Sequence, residues 1–452
     1  MGSGATCHNG RMRVLMTTWG SRGDVQPYLA LARGFRRAGH DVRLAAPAIP
    51  AFRDAAAEQG IPYVDVDVPL DSTEVARFLD SILGVRDPIR QARKIIETFV
   101  VPSIDGAYRA TLEHARWADV VVSHFFQPVG RMVAEATGTP WVSGSLAPMQ
   151  PTALYPPPNV PNLGPAANRL LWWAGATYIN SQWSPALNRH RRRLGLAPFR
   201  DLFRRDFFSP SLDLVGVSPR VAPRPPDWLP QTRVTGYWFL ERPEWTPPPE
   251  LAAFLDGGPK PIAIGFGSMS TEDGAGLTRT LVEAVARSGD RAVLQAGWAE
   301  LGRGDLPPTI LRAADVPHDW LFPRVRAVVH HGGAGTSAAV FRAGVPSVFV
   351  PHIADQQLWA GIARARGVAP SAVPRAGLSA SAGARPRAGV GAERLARAIV
   401  ATRDSGMAAR AGRLGESIRA EDGVGTAVRA VEALLAGHSA APRPAANLAP
   451  VI

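Results

Sequence analysis

The chain has 452 residues, too many for one ordinary hydrophobic core, which predicts two or three domains. Apolar residues at 46% and charged residues at 19% exclude a disordered polymer. The net charge of +12 is compatible with three kinds of partner: nucleic acid, an anionic membrane or an anionic small ligand. Because the arginines are scattered through helical stretches and no nucleic-acid-binding motif occurs, nucleic acid is not expected.

The cysteine content and the length of the apolar stretches indicate where in the cell the protein is located. The single cysteine, Cys7, excludes an internal disulfide and a cysteine-based zinc site. The first ten residues lack the apolar core of a signal peptide, and the longest apolar stretch, 170–179, is too short to span a bilayer. We therefore expect a cytoplasmic monomer or homodimer with no transmembrane segment, which leaves room for peripheral membrane contact.

The first half of the chain alternates strands with helices. A strand at 13–17 precedes a turn at 18–24, and apolar residues at helical spacing predict a helix over 27–38, with Pro27 at its first position and Gly39 after its end. The alternation predicts a parallel, doubly wound sheet. Further predicted strands lie at 41–46, 63–66, 120–123 and 141–143.

Residues 147–200 are irregular and rich in aromatic side chains, which predicts loops and short helices. Such a segment can line an apolar pocket, or each aromatic residue can simply pack beneath a long insertion. The aromatic residues are Tyr155, Trp172, Trp173, Tyr178 and Trp183, with prolines at 156–158.

Prolines become dense from 218 to 249, which predicts an interdomain linker. A second α/β half begins at 261–269 with the same order of strand, glycine turn and helix, and further strands are predicted at 291–295, 309–311, 327–330 and 347–350. The low-complexity residues 379–391 predict a mobile loop, and helical residues at 392–435 close the fold. The predicted domains are 11–222 and 251–436, joined by a linker at 223–250 and followed by a flexible or cross-domain tail at 437–452.

A phosphate-binding turn is predicted in the second half. The strand at 327–330 leads into His331-Gly-Gly-Ala-Gly-Thr336, and a helix follows that Gly344 ends. Small residues before a helix admit an anion to backbone N–H groups, and the helix dipole favours its charge. An ordinary strand-to-helix turn that is glycine-rich for steric reasons is the alternative.

Two α/β halves of this kind first suggest an enzyme that uses a nicotinamide cofactor, but the pattern of glycines does not fit one. In the second half, the third glycine of the dinucleotide-binding motif is missing after Gly265 and Gly267, and the first half has only Gly20 and Gly23. Neither second strand ends in the acidic residue that would hold a ribose.

Six segments, in order along nearly the whole chain, resemble the metal-independent, inverting glycosyltransferases of the UDP-glycosyltransferase superfamily. The similarity is greatest to bacterial natural-product glycosyltransferases and sterol glucosyltransferases. It implies an α/β GT-B fold, with two Rossmann-like, doubly wound parallel-sheet domains facing across a cleft. The segments are 20–47, VTGYWF (234–239), GFGSM (265–269), VPHDWLFP (316–323), HHGGAGT (330–336) and GVPSVFVPHIADQQLWA (344–360).

The resemblance assigns donor-binding residues. His331 matches the histidine that bonds the donor diphosphate, Val316 and His318 lie where the nucleotide base is held, and Asp355 and Gln356 match the pair that grips sugar hydroxyls. Carboxylate and amide suit vicinal hydroxyls, which need both acceptors and donors. The remaining donor-site residues are Ser21, Arg22, Gly23, Ser268, Gly333, Ala334, Gly335 and Thr336.

The resemblance also assigns catalytic and acceptor-binding residues. Asp24 occupies the position of the general base, with a simple helix cap as the alternative. His124 stands where plant relatives carry an aspartate; it could bond Asp24, bond the acceptor, or be structural. The expected acceptor-binding residues are Trp19, Phe125, Met149, Tyr155, Trp172 and Trp173.

The implied reaction is a single in-line displacement with inversion. A hydroxyl of a large hydrophobic acceptor, such as a polyketide, macrolide, sterol, triterpenoid or phenol, attacks a hexose carried by a UDP- or dTDP-sugar co-substrate. No metal and no cofactor are expected. The alternatives are a GT-B sugar-nucleotide epimerase and a non-catalytic auxiliary homologue of a glycosyltransferase.

Overall fold

The computed structural model describes residues 10–66, 90, 93–94, 96–157, 160, 162–241, 245–267, 274–297, 301–302, 304–314, 316–352, 355–375, 378 and 389–438. The chain divides into two compact units, with one boundary between Leu240 and Glu241 and another between Glu421 and Asp422. None of the helices within these ranges has the length and apolar character that crossing a bilayer requires.

The first unit contains a parallel sheet in the order β3-β2-β1-β4-β5-β6-β7. The order reverses between β1 and β4, so the turns after these two strands open side by side at one edge of the sheet. The strands are β1 Arg13–Thr17, β2 Asp41–Pro47, β3 Tyr63–Val66, β4 Val120–His124, β5 Trp141–Ser145, β6 Asp213–Val215 and β7 Thr232–Val234.

The second unit contains a parallel sheet in the order β10-β9-β8-β11-β12, which reverses between β8 and β11. Its strands are β8 Ile262–Gly265, β9 Ala292–Gln295, β10 Ile310–Ala313, β11 Ala327–His330 and β12 Ser347–Phe349. Every strand except the edge strand β7 buries apolar residues, as expected for parallel sheets covered on both faces. The predicted doubly wound α/β class is confirmed in both units.

Helices flank both sheets, and α1–α5 and α13 belong to the first unit. In chain order they are α1 Arg22–Arg37, α2 Pro50–Glu58, α3 Val101–Trp117, α4 Pro128–Thr137, α5 Pro165–Arg193, α6 Pro249–Asp256, α7 Gly274–Ser288, α8 His318–Leu321, α9 Ala334–Ala343, α10 Gln356–Ala365, α11 Val390–Ala401, α12 Ser405–Arg419 and α13 Gly423–His438.

Three sequence predictions differ from the structure. Residues 165–193, predicted as loops and short helices, form one 29-residue helix, α5. Strand β7 lies inside the predicted linker at 223–250, where an edge position tolerates the neighbouring prolines. Helix α13, predicted as the end of the second domain, packs on α1 of the first unit. The tail at 439–452 and residues 379–388 of the low-complexity stretch lie outside the described residues.

A close helix contact explains the position of α13. Gly34 of α1 lies against Val424, so that a Cβ at Gly34 would fall within van der Waals overlap of the valine side chain. The ring of His40 also bonds Glu432, with 2.9 Å between Nε2 and Oε1. Because these contacts join residues about 390 positions apart, no local pattern could have shown them.

A buried carboxyl group lies on β6, next to the edge strand of the first sheet. Asp213 on β6 is fully buried and accepts hydrogen bonds from Ser143 Oγ and Gln150 Nε2, both at 2.6 Å. These neutral partners do not compensate for desolvation, and burial raises the pKa of Asp213 from 3.8 to about 7. The carboxylate form therefore costs free energy in the folded state.

We expect Asp213→Asn to change how stability depends on pH. The folded protein holds the Asp213 proton more tightly than the unfolded chain does, so this group's contribution is present below pH 3.8 and is lost as pH rises through about 7. At pH 8 the variant should melt at a higher temperature than the parent, and the difference should shrink towards pH 5. The shift corresponds to about 4 kcal/mol at most.

Asp227→Asn is the matched control, because its carboxylate accepts bonds from Thr152 Oγ1 and the Ala153 N–H at 2.7 and 2.8 Å. Those bonds help to lower the pKa of Asp227 below 3.8. Its contribution to stability is therefore constant from pH 5 to 8, and this variant should melt below the parent by the same amount throughout that range. If the melting temperatures of Asp213→Asn and the parent differ by the same amount at every pH from 5 to 8, the pKa of Asp213 is not raised.

Candidate active site

The turn between β1 and α1 holds Asp24 in a capping box. Helix α1 begins at Arg22, five residues before the predicted start, because Ser21 serves as its N-cap. Asp24 is therefore the third residue of α1 rather than a residue before it. Its Oδ2 accepts hydrogen bonds from the Ser21 N–H at 2.8 Å and the Ser21 hydroxyl at 3.0 Å. Asp24 therefore has the capping role that the sequence left as the alternative.

Gly20 leaves the space that this carboxylate occupies. Its φ is +95°, and a Cβ there would lie 2.5 Å from Asp24 Oδ2. The carboxylate therefore lies directly over the glycine turn, at the positive end of the α1 dipole, which favours its ionised form.

His124, at the end of β4, is a neutral ring with a fixed tautomer. Its Nδ1 accepts hydrogen bonds from the Trp19 indole N–H and the Phe126 backbone N–H, both at 3.3 Å. Two donors at Nδ1 require the proton to lie on Nε2. Burial lowers the pKa of His124 to about 3. The ring therefore anchors Trp19, a structural role, and retains an Nε2–H donor.

An aromatic cluster extends from this histidine. Trp19 stacks on Phe126 with centroids 6.0 Å apart and planes 4° apart, and Phe126 meets the edge of Trp183 at 5.3 Å. Phe125 and Met149, both predicted to bind acceptor, pack against the same cluster. The prediction missed Phe126, although its place beside Phe125 after a strand end was the available signal.

The other aromatic residues predicted to bind the acceptor differ in how far they are exposed to solvent. Trp172 is buried, and its indole N–H donates to the Tyr155 carbonyl at 2.9 Å. The Tyr155 hydroxyl donates to the Pro148 carbonyl at 3.3 Å. Trp173 is 56% exposed, because consecutive helix residues point about 100° apart. Trp172 and Trp173 therefore do not share one pocket wall.

The glycine turn of the second unit forms an open helix start. It follows β11, and α9 begins at Ala334 with Gly333 as an N-cap that has no side-chain hydrogen bond. The φ of Gly332 is +93°, which only glycine adopts readily, and the Gly332 N–H donates to His330 Nδ1 at 3.1 Å. First-turn N–H groups without a capping side chain can receive an anion.

His331 lies between two glycines beside this helix start. A Cβ at Gly333 would lie 2.4 Å from its Nε2, and one at Gly267 would lie 3.1 Å from its Cε1. Its Nδ1 is buried and lacks a hydrogen-bond partner within the described part of the chain. Burial first, and the charge of His318 second, lower the pKa of His331 to about 4. The ring is therefore neutral and has hydrogen-bonding capacity to spare.

Asp355 and Gln356 stand at the start of α10, next to the glycine turn. A Cβ at Gly332 would lie 3.1 Å from the Gln356 carbonyl. Gln356 Oε1 accepts from the His352 N–H at 2.6 Å, and Asp355 Oδ2 accepts from the Trp359 indole N–H at 2.7 Å. Burial raises the pKa of Asp355. The structure thus brings the predicted diphosphate and sugar residues together.

The predicted base-binding segment leads into α8, of which His318 is the first residue. The Val316 carbonyl accepts a hydrogen bond from Gln295 Nε2 at 2.9 Å, and the His318 ring stacks on Phe322 with centroids 4.4 Å apart. Gln295 closes β9 and was missed, although the strand end was noted for lacking an acidic residue. Ser268 lies outside the described residues. No group of three or more metal-ligating side chains is arranged for a metal ion in the ranges that the structure describes.

Two family models match the two halves of the chain. The N-terminal domain of glycosyltransferase family 28 matches residues 14–155, and the C-terminal domain of erythromycin biosynthesis protein CIII-like proteins matches residues 280–413. O-mycaminosyltylonolide 6-deoxyallosyltransferase of Streptomyces fradiae is 36% identical, over 93% of this chain and 97% of its own. This chain belongs to the GT-B glycosyltransferases.

Other members of the family act on different acceptors. Vancomycin aglycone glucosyltransferase of Amycolatopsis orientalis is 35% identical over 77% of this glycosyltransferase and 83% of its own length. Sterol 3-beta-glucosyltransferase of Emericella nidulans is 34% identical over 93% of this chain, which spans only 30% of that protein.

Solved structures confirm the fold. The kitacinnamycin glycotransferase gives a TM-score of 0.70 at 23% identity, over 94% of this glycosyltransferase and 99% of its own chain. The calicheamicin glycosyltransferase CalG4 gives 0.67 at 21% identity, over 94% and 98%. At these identities the likeness concerns architecture, and it confirms the predicted pair of Rossmann-like, parallel-sheet domains.

Proposed function

We propose that this glycosyltransferase is an inverting, metal-independent enzyme that transfers a hexose from a UDP- or dTDP-sugar to a hydroxyl group of a large hydrophobic acceptor. The observation that carries the proposal is the environment of His331. Its ring is buried, neutral and short of one hydrogen-bond partner, beside the uncapped start of α9, and the neighbouring Gly332 lies against Gln356.

The second unit holds the donor in this proposal. The α9 N–H groups and His331 receive the diphosphate, which the helix dipole stabilises as negative charge develops on the leaving group. Asp355 and Gln356 hold the hexose hydroxyls, and the segment at Val316 and His318 holds the base. Two structural neighbours, SsfS6 and VinC, are complexes with thymidine diphosphate, which supports a nucleoside diphosphate ligand.

The first unit provides the base and the acceptor site. Asp24 receives the acceptor proton as the oxygen attacks the anomeric carbon. A carboxylate is a weak base towards an alcohol, so the proton moves late and positioning matters more than basicity. Trp19, Phe125 and Met149 face a large apolar acceptor. The domains run from 11 to about 240 and from 241 to 421, and α13 belongs to the first unit. The enzyme acts in the cytoplasm.

Release of nucleoside diphosphate tests the proposal. The purified protein is incubated with UDP- or dTDP-hexoses and a panel of polyketide, sterol and phenolic alcohols. Products are detected by mass spectrometry, and proton NMR identifies the anomer and any epimerised sugar, which have the same mass as their isomers. Acceptor-dependent release with a new glycoside of inverted configuration is expected, with and without chelator. An isomerised sugar formed without acceptor would indicate an epimerase, and no turnover with any pair would favour an auxiliary homologue.

A further inference from the structure

Helix α5 presents an apolar surface to solvent in its N-terminal half. The side chains of Leu170, Trp173 and Tyr178 are 63%, 56% and 43% exposed. In the part of the chain that the structure describes, five of the seven large exposed hydrophobic residues lie between 154 and 178: these three, together with Leu154 and Leu163. A concentration of this kind marks a contact surface.

The segment before α5 is tied along the same helix. Asn168 Nδ2 donates to the Ala153 carbonyl at 2.9 Å, and the Trp172 indole donates to the Tyr155 carbonyl at 2.9 Å. These bonds place exposed Leu154 beside the first turns of α5. The exposed apolar residues of the helix itself form the surface that we call the α5 face: Leu170, Trp173, Ala174 and Tyr178.

A line of exposed residues continues this surface along the whole helix. Steps of three or four residues keep successive positions on one side of a helix. The line ends in Arg189 and Arg192, which are exposed, whereas Arg191 is buried against Glu135. Its members are Leu170, Ala174, Tyr178, Ser181, Pro185, Arg189 and Arg192, all exposed.

The charge of α5 has one sign. The helix has 29 residues without an aspartate or glutamate, and it carries five arginines and one histidine. Two acidic side chains near the helix are paired with cations: Glu97 bonds Arg93, and Asp105 bonds His190 and Arg193. The surface is therefore apolar at one end, basic at the other, and complementary to a negatively charged plane.

We propose that the α5 face docks on a bilayer that contains anionic lipid. Leu170, Trp173 and Tyr178 enter the boundary between headgroups and acyl chains, and Arg189 and Arg192 contact the lipid phosphates. Tryptophan and tyrosine favour this boundary because their rings are apolar with a polar edge. An apolar side combined with arginine and no acidic residue is typical of helices that lie on membranes. The proposal is independent of the transferase activity.

Co-sedimentation with vesicles tests it on the full chain. The parent should bind vesicles of phosphatidylcholine mixed with phosphatidylglycerol about tenfold more tightly than phosphatidylcholine alone, and less tightly as salt rises. Leu170→Ser with Trp173→Ser should weaken binding to the mixed vesicles about tenfold. Arg189→Glu with Arg192→Glu should remove the preference for phosphatidylglycerol.

Val390→Ser with Val400→Ser is the control, because it removes two exposed apolar side chains from α11 of the other unit. This variant should bind vesicles like the parent, and thermal unfolding confirms that each variant is folded. No binding by the parent, or equal binding by all variants, would overturn the proposal. A parent dimer that Trp173→Ser dissociates without changing vesicle binding would also overturn it, in favour of a second copy as the partner.

Discussion

Asp24→Asn should lower kcat by a factor on the order of 10² to 10⁴ while leaving donor affinity nearly unchanged. The substitution removes the group that receives the acceptor proton and keeps the shape of the side chain. The amide oxygen can still accept from the Ser21 N–H, which the carboxylate accepts at 2.8 Å, so the capping box retains its main bond. Steady-state kinetics with both substrates varied, together with the melting temperature, measure the two effects separately.

Ser21→Ala separates the base from the cap. It removes the hydroxyl that donates to Asp24 and accepts from the Gly23 N–H at 3.2 Å, but it leaves the carboxylate. Loss of a cap costs about 0.5 to 2 kcal/mol of stability, so this variant should melt earlier and still turn over far faster than Asp24→Asn. If Asp24→Asn reacts as fast as the parent, Asp24 is only a capping residue. Equal losses in the two variants would lead to the same conclusion.

The sequence predicted those parts of the site whose residues are close together in the chain. The strand at 327–330, the turn at 331–336 and the pair Asp355–Gln356 lie within thirty residues, and their glycines, strand pattern and helix stop are local signals. The same holds for β1 and the Gly20–Asp24 turn. In these places local preference and the final fold agree, and the structure brings the predicted residues together.

Predictions failed where distant contacts decide the structure. Helix α5 is apolar on its exposed side as well as its buried side, which removes the periodicity that would have identified a helix. The packing of α13 on α1 depends on Gly34 and Val424, far apart in the chain. Phe126 stacks on Trp19, and Gln295 bonds the Val316 carbonyl. A place at or just after a strand end was the only local signal for these two residues, and it does not specify such partners.

Gly333→Ala should raise the KM for the donor about 10- to 100-fold and lower kcat. The glycine has φ −58° and ψ 146°, which alanine adopts without strain, so the backbone should not change. The new methyl group would lie 2.4 Å from His331 Nε2 and would force the ring out of its place between Gly267 and Gly333. Loss of one hydrogen bond to a charged phosphate, about 1.5 to 3 kcal/mol, gives the expected range.

Two further variants determine whether the ring contact is the cause. Gly361→Ala, in α10 of the same unit, has no heavy atom within 4 Å of the added carbon and should leave donor use unchanged while stabilising the helix by about 1 kcal/mol. In a His331→Ala background, Gly333→Ala should have little further effect, because the ring that it displaces is gone. Titration with the nucleoside diphosphate alone measures each affinity. If the two losses instead add, the methyl group obstructs the phosphate directly and His331 is not the group through which it acts.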